Sequence, residues 1–93
     1  MYGYKLEKIF EEMQSIGLCE SEREFGRFVG KSPCYLRNHR RCNGRARVSP
    51  DVIACLRYRL KEISKLVPSG VKRDLVAIVE TIDENARVMA MLA

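Results

Sequence analysis

The chain has 93 residues, of which 46% are hydrophobic and 31% are charged, and its formal net charge is +5. A chain of this length forms one domain with a single modest core, and no apolar run approaches the roughly 20 residues that span a bilayer. The first ten residues are soon followed by acids and lack the apolar stretch of a signal peptide, so we expect a cytoplasmic protein with no membrane partner.

The first helix is predicted from about residue 4 to residue 16, because apolar residues recur there at steps of three and four. Its apolar face comprises Leu6, Ile9, Phe10, Met13 and Ile16. A second, short helix is predicted to begin at Ser21, the first residue of the sequence SERE, which is a capping box. In this box the hydroxyl of Ser21 accepts from the N–H of Glu24, whose carboxylate accepts from the N–H of Ser21. The apolar face of this second helix comprises Phe25, Phe28 and Val29.

Two Ser-Pro pairs predict the starts of the third and fourth helices, because serine caps a helix and proline suits its first position. Ser32 is predicted to cap a helix over residues 33–41, which turns Tyr35 and Leu36 inward. An Asn-Gly turn follows, and the second Ser-Pro pair opens a helix over about 50–66. The buried stripe of that fourth helix comprises Val52, Ile53, Leu56, Leu60, Ile63 and Leu66.

A long last helix is predicted from about residue 70 to the end of the chain. Apolar residues at alternating steps of four and three give it a heptad-like seam with one polar member. The seam centres on Leu75, Ile78, Ile82, Asn85 and Met89. We expect this seam to pair with the same helix of a second chain, where Asn85 would fix the register. Packing on its own domain is the alternative.

The positive charge is concentrated in residues 31–50, which carry six cations and no acid. These cations are Lys31, Arg37, Arg40, Arg41, Arg45 and Arg47. A focused positive patch raises the local concentration of polyanions, so the segment favours a phosphate-bearing partner. A solvated face without a partner is the alternative.

Residues 22–41 form two short helices joined by a glycine turn, and the second helix is rich in cations. This pair resembles the helix-turn-helix of small phage-repressor-like (Cro/repressor, XRE-like) DNA-binding regulators. In that family the turn needs a glycine, here Gly30, and a small residue four positions earlier, here Gly26, lets the helices cross closely. Expected apolar positions are matched by Phe25, Val29 and Leu36, whereas Lys31 and His39 depart from the pattern.

The five predicted helices indicate an all-α, compact domain, and the resemblance implies that its helix-turn-helix DNA-binding part lies over residues 1–69. The helix over 70–93 would then be a dimerisation element. The second helix of such a pair reads the major groove of double-stranded DNA, where arginine pairs with guanine and asparagine with adenine. Base contacts are predicted for Cys34, Arg37, Asn38 and Arg41. Phosphate contacts are predicted for Lys31, Ser32, Arg40, Arg45 and Arg47.

Catalysis, metals and cofactors are not expected. The four cysteines, Cys19, Cys34, Cys42 and Cys55, show no C-x-x-C pair, so reduced thiols are favoured over a zinc site that would include His39. The chain has a single histidine, no paired carboxylates in a recognisable cleft and no glycine-rich phosphate loop. His39 is expected to be a packed residue of the third helix rather than a ligand.

Three hypotheses for the function follow. The first is a homodimeric, sequence-specific transcription regulator of the repressor type, associated with the nucleoid. The second is a protein-interaction module, such as an antiactivator that binds a larger regulator through the last helix. The third is RNA binding, for which the basic loop suffices but no exposed pair of stacking aromatic residues is recognisable.

Overall fold

Five α-helices account for the regular structure of residues 1–92, the part of the chain that the computed structural model describes. They are α1 Gly3–Ser15, α2 Glu22–Phe28, α3 Tyr35–Arg41, α4 Pro50–Ser64 and α5 Ser69–Leu92. The all-α, five-helix prediction is confirmed. The only β pairing within these residues is an isolated antiparallel bridge between Tyr2 and Arg47. No helix in this part of the chain is long and apolar enough to cross a membrane.

One apolar core joins the five helices. Helix α5 packs mainly along α4, and α3 packs against α1 and α2. Phe10 of α1 and Phe25 of α2 meet edge to face, with ring centroids 5.4 Å apart. The largest fully buried side chains are Leu6, Ile9, Met13, Phe25, Leu36, Val52, Leu56, Leu60, Leu75 and Ile82. Each contributes roughly 1.5–3 kcal/mol by leaving water, so burial of these predicted apolar faces drives the fold.

The first half of α5 belongs to this same core. Leu75, Ile78 and Ile82 are at most 4% exposed and pack within their own chain. They cover the apolar stripe of α4, because only residues 65–68 separate the two helices along the chain. We therefore correct the intermolecular interpretation for these three residues. The boundary predicted between residues 69 and 70 divides two parts of one core.

The end of α4 also differs from the prediction. Leu66, predicted to be buried, lies beyond the last residue of α4 and is 86% exposed.

An ion pair also connects α4 to α5. The Arg57 guanidinium of α4 donates two hydrogen bonds to the Asp83 carboxylate of α5, at 2.6 and 3.2 Å. These bonds hold the pKa of Asp83 below its usual value. An ion pair of this kind on the surface helps to orient α5 on α4 but contributes little to the free energy of unfolding.

Candidate nucleic-acid interface

The start of α2 is capped by side chains. The Ser21 hydroxyl accepts from the Glu24 N–H at 3.2 Å, as the capping box predicts. The Glu24 carboxylate accepts instead from the N–H of Glu20, at 2.7 Å, one residue earlier than predicted. Both bonds satisfy backbone donors at the entry to the helix pair, so the orientation of α2 is fixed locally.

Gly26 and Gly30 determine how closely α3 crosses α2. Gly30 has a φ of 76°, in the left-handed region that glycine adopts without strain. The N–H of Lys31 then donates to the carbonyl of Gly26 at 2.8 Å and closes the end of α2. A Cβ on Gly26 would overlap the carbonyl oxygen of Ser32. The turn predicted at Gly30 and the close approach predicted at Gly26 are therefore both present.

Helix α3 starts two residues later than predicted. Residues 33–34 form a turn, in which the N–H of Tyr35 donates to the carbonyl of Ser32 at 3.1 Å. The N-cap position is Cys34, which makes no side-chain cap hydrogen bond, so the predicted Ser32 cap is wrong. The reason is the close crossing, because the carbonyl of Ser32 packs against Gly26 and orients this residue. The Ser32 side chain remains at the exposed surface.

The outer face of α3 is defined by Cys34, Arg37, Asn38 and Arg41. All four are exposed, whereas Leu36 is fully buried. At 3.6 residues per turn these four positions share the side opposite Leu36. The exposure predicted for the four base-contact candidates is thus observed, and base contact itself stays a prediction.

Arg40 lies on a different side of α3 and has its own partners. It follows Leu36 by one turn, so its side chain projects toward the helices that Leu36 packs against. There its guanidinium pairs with Glu7 of α1, at 2.5 Å, and with Glu22 of α2. Hydrogen bonds to Glu22 and Glu7 raise the pKa of Arg40. We therefore remove Arg40 from the predicted phosphate contacts, since its charge already joins α1, α2 and α3.

His39 is a packed residue, as expected. Its ring meets Tyr35 edge to face at 4.9 Å, and a Cβ on Gly3 would lie only 2.7 Å from its Nδ1. Desolvation lowers the pKa of His39. Within residues 1–92, no three His, Cys, Asp or Glu side chains are grouped to hold a metal ion. The four cysteines are free thiols, of which Cys34 and Cys42 are exposed.

The loop after α3 is held against the beginning of the chain, which the sequence did not indicate. Asn43 and Gly44 have φ values of 55° and 68°, and these two left-handed residues reverse the chain. Three backbone N–H groups then connect the two segments: Gly3 to Ala46 at 2.9 Å, Tyr4 to Gly44 at 3.1 Å, and Val48 to Met1 at 2.8 Å. The basic loop is consequently part of the folded domain rather than a loose arm.

This docking places two aromatic rings beside two arginines of the loop. The rings of Tyr2 and Tyr4 are 11° from parallel, with centroids 6.1 Å apart. The Arg47 guanidinium lies 5.8 Å from the Tyr2 ring centroid, and Arg45 lines an open depression with both tyrosines. The sequence indicated no exposed stacking pair beside the basic loop, and the structure has there one exposed ring, Tyr4 at 58%, next to the half-buried ring of Tyr2.

Five cations of segment 31–50 remain without an acidic partner. For residues 1–92, the ion pairs within 4.0 Å involve Arg40, Arg57 and Lys65 as the cations. The unpaired and exposed cations of the segment are Lys31, Arg37, Arg41, Arg45 and Arg47. They lie in the turn before α3, on its outer face and in the loop after it, so the unpaired positive charge is on α3 and on the two segments that flank it.

A profile for a family of unknown function, DUF6626, matches residues 6–91. The chain belongs to the DUF6626 family. The matched range includes the α2–α3 pair, the loop after α3 and nearly all of α5. No curated protein and no solved structure matches this DUF6626 chain.

Proposed function

We propose that this chain binds double-stranded DNA through the outer face of α3 and acts as a dimeric transcription regulator of the repressor type. The observation that carries the proposal is the group of five exposed cations around α3 that no carboxylate neutralises. A positive field that the protein does not pair internally attracts a polyanion and speeds its encounter. The proposed activity is binding rather than catalysis.

Base recognition is assigned to the side of α3 that faces away from the core. Arg37 and Asn38 are neighbours there, and Arg41 follows Arg37 by one turn. Arginine can donate two hydrogen bonds to guanine, and asparagine can bond to adenine in a similar two-point arrangement. Cys34, at the N-terminal end of the same face, would contact a base edge through its small apolar thiol. The major groove is wide enough to admit α3 with these side chains.

Phosphate contacts are assigned to residues on either side of α3. Lys31 and Ser32 precede the helix and are exposed, and Arg45 and Arg47 follow it in the docked loop. Contacts of this kind orient a recognition helix on the duplex without reading its sequence. Because backbone hydrogen bonds hold the loop in place, little conformational freedom would be lost when its arginines bind phosphate.

Dimerisation is assigned to the last turns of α5, since the first half of the seam is buried. Val88, Met91 and Leu92 are exposed there, the last two by 84% and 77%. The other two predicted seam residues, Asn85 and Met89, are half-buried. The buried Oδ1 of Asn85 has no hydrogen-bond partner within residues 1–92, so a second chain could supply one. Two-fold symmetry would match an operator with two half-sites.

A binding-site selection from random duplexes tests sequence-specific recognition. The wild-type chain should enrich a symmetric motif with a preferred guanine in each half-site. Arg37→Ala should relax the preference at that position by about 1–3 kcal/mol and leave the other positions intact. Arg40→Ala is the matched control, because its guanidinium faces α1 and α2 rather than the outer face. Failure of the wild-type chain to enrich any motif would refute sequence-specific binding.

A second candidate function uses the same exposed end of α5. Isolated apolar side chains on a surface are ordinary, but a group at the end of one helix suits a protein partner. In that case the chain would be an interaction module that binds a larger regulator, and α5 would pair with that regulator instead of with a second copy. A chain that is monomeric by light scattering and does not bind duplex DNA would favour this candidate.

A further inference from the structure

The rings of Tyr2 and Tyr4, with Arg45 and Arg47 beside them, form a surface site of which the proposed duplex binding uses the two arginines and not the two rings. We call these four residues the tyrosine platform. Its parts come from two distant segments, the beginning of the chain and the loop after α3, which the backbone hydrogen bonds join. The platform therefore exists only in the folded chain.

We propose that the tyrosine platform stacks an unpaired nucleobase of a single-stranded nucleic acid. The proposal rests on the proposed function to the extent that both require a nucleic-acid partner. Every nucleobase has a planar face that stacks on tyrosine, and proteins that bind single strands combine such rings with cations that follow the phosphates. Tyr4 offers an exposed ring, and Arg45 lines the same depression. Arg45 and Arg47 would hold the phosphates on either side of the stacked base.

The arrangement fits a base better than a phosphate alone. A phosphate site would need only the arginines, and a nearly parallel pair of rings at the same place would then be unexplained. The exposed Tyr4 ring buries little apolar surface in the core, so packing does not account for it. Arg47 lies near the Tyr2 ring, which limits the motion of both side chains. A platform ordered in this way loses little freedom when a base stacks on it.

Alanine at position 4 should leave the backbone packing of the tyrosine platform unchanged. A Cβ on Gly44 would lie 3.0 Å from the Cβ of Tyr4, so the loop approaches this tyrosine through its backbone and Cβ. Tyr4→Ala retains those atoms and removes only the ring. Tyr4→Phe retains the ring and removes only the hydroxyl. Tyr58→Ala is the matched control, because Tyr58 is an equally exposed tyrosine, at 65%, on α4.

The experiment compares a short oligothymidylate with an abasic oligonucleotide of the same length and charge. The chain has no tryptophan, so binding is followed by quenching of tyrosine emission and by anisotropy of a labelled strand. The wild-type chain should bind the base-bearing strand roughly 5- to 150-fold more tightly, the range expected for one stacked base. In Tyr4→Ala the affinities for the two strands should become equal, whereas Tyr4→Phe and Tyr58→Ala should keep the wild-type ratio.

Equal affinity of the wild-type chain for the two strands would overturn the proposal. It would also be overturned if Tyr4→Ala weakened both strands equally, because the ring would then have no role in base binding. Oligodeoxyuridylate and oligouridylate, which differ only in the sugar, separate DNA from RNA, and a preference for either strand over the abasic strand supports base stacking. Duplex binding is measured separately, with the wild-type chain and with Arg37→Ala. If the wild-type chain does not bind duplex DNA but prefers the base-bearing single strand, only the proposed role of α3 is refuted.

Discussion

Two Gly→Ala substitutions should change the stability of the chain in opposite directions. In a helix, alanine is preferred to glycine by about 1 kcal/mol, because glycine loses more backbone freedom on folding. Gly70 lies in the first turn of α5, and an added Cβ would meet no atom within 4 Å. Gly70→Ala should therefore raise the free energy of unfolding by up to about 1 kcal/mol.

Gly26→Ala gains the same helical preference but encounters the backbone of the α2–α3 turn. Its Cβ would overlap the Ser32 carbonyl oxygen and lie 3.1 Å from that carbonyl carbon and 3.3 Å from the Pro33 Cα. Backbone atoms cannot rotate away as a flexible side chain can, so α3 has to shift. Overpacking of this kind costs about 1–3 kcal/mol. After the helical gain, we expect a net loss on the order of 1 kcal/mol.

Thermal and urea unfolding followed by far-UV circular dichroism measure both substitutions. A change of 1 kcal/mol moves the melting temperature of a domain this small by about 4–8 °C. The melting temperature should fall for Gly26→Ala and rise for Gly70→Ala. A Gly26→Ala variant as stable as the wild-type chain, or more stable, would refute the close crossing of α2 and α3.

The remaining predictions concern the core, the end of α5, and two side chains of α3. Ile82→Glu should unfold the chain, because an unpaired charge in the core costs several kcal/mol, and a cooperative melt close to that of the wild type would contradict its burial. Met91→Glu should melt normally yet give monomers by light scattering, and a persistent dimer would locate the contact elsewhere. Desolvation lowers the pKa of His39 from 6.5, so the unfolded chain takes up that proton first and the wild type should lose stability as the pH falls below about 6.5. The His39→Gln variant should lose less stability over the same pH range. If the free energy of unfolding of the variant and of the wild type fell in parallel with pH, this would be contradicted. Arg40→Ala should lower the free energy of unfolding by roughly 1 kcal/mol, because it removes two partly exposed ion pairs, and unchanged urea unfolding would show that those pairs add nothing.

The helices could be predicted because their signals are local. Steps of three and four placed the apolar faces, and the Ser21 cap and Gly30 marked the limits of α2. The outer face of α3 could also be predicted, since buried Leu36 fixes the rotation of such a short helix. Observed exposure of Arg37, Asn38 and Arg41 follows from that rotation alone.

The features that escaped prediction depend on residues far apart in the chain. Arg40 pairs with Glu7, which lies 33 positions away, and the local pattern of α3 does not indicate which acids Arg40 meets. The bridge between Tyr2 and Arg47 is a single pair, so it leaves no alternating pattern in the sequence. The apolar seam of α5 has the same period whether it packs within the chain or between chains. Periodicity alone could not decide between these arrangements.

The salt dependence of duplex binding tests the central claim most directly. Fluorescence anisotropy would compare the wild-type chain, the Arg45→Ala/Arg47→Ala variant and Arg40→Ala on a duplex long enough for two half-sites. The slope of log K against log salt should fall by about 0.9 for each phosphate contact removed. It should therefore flatten in the loop variant and stay unchanged in Arg40→Ala. Absence of wild-type binding at low salt, or a loop variant with the wild-type slope, would contradict a DNA interface around α3.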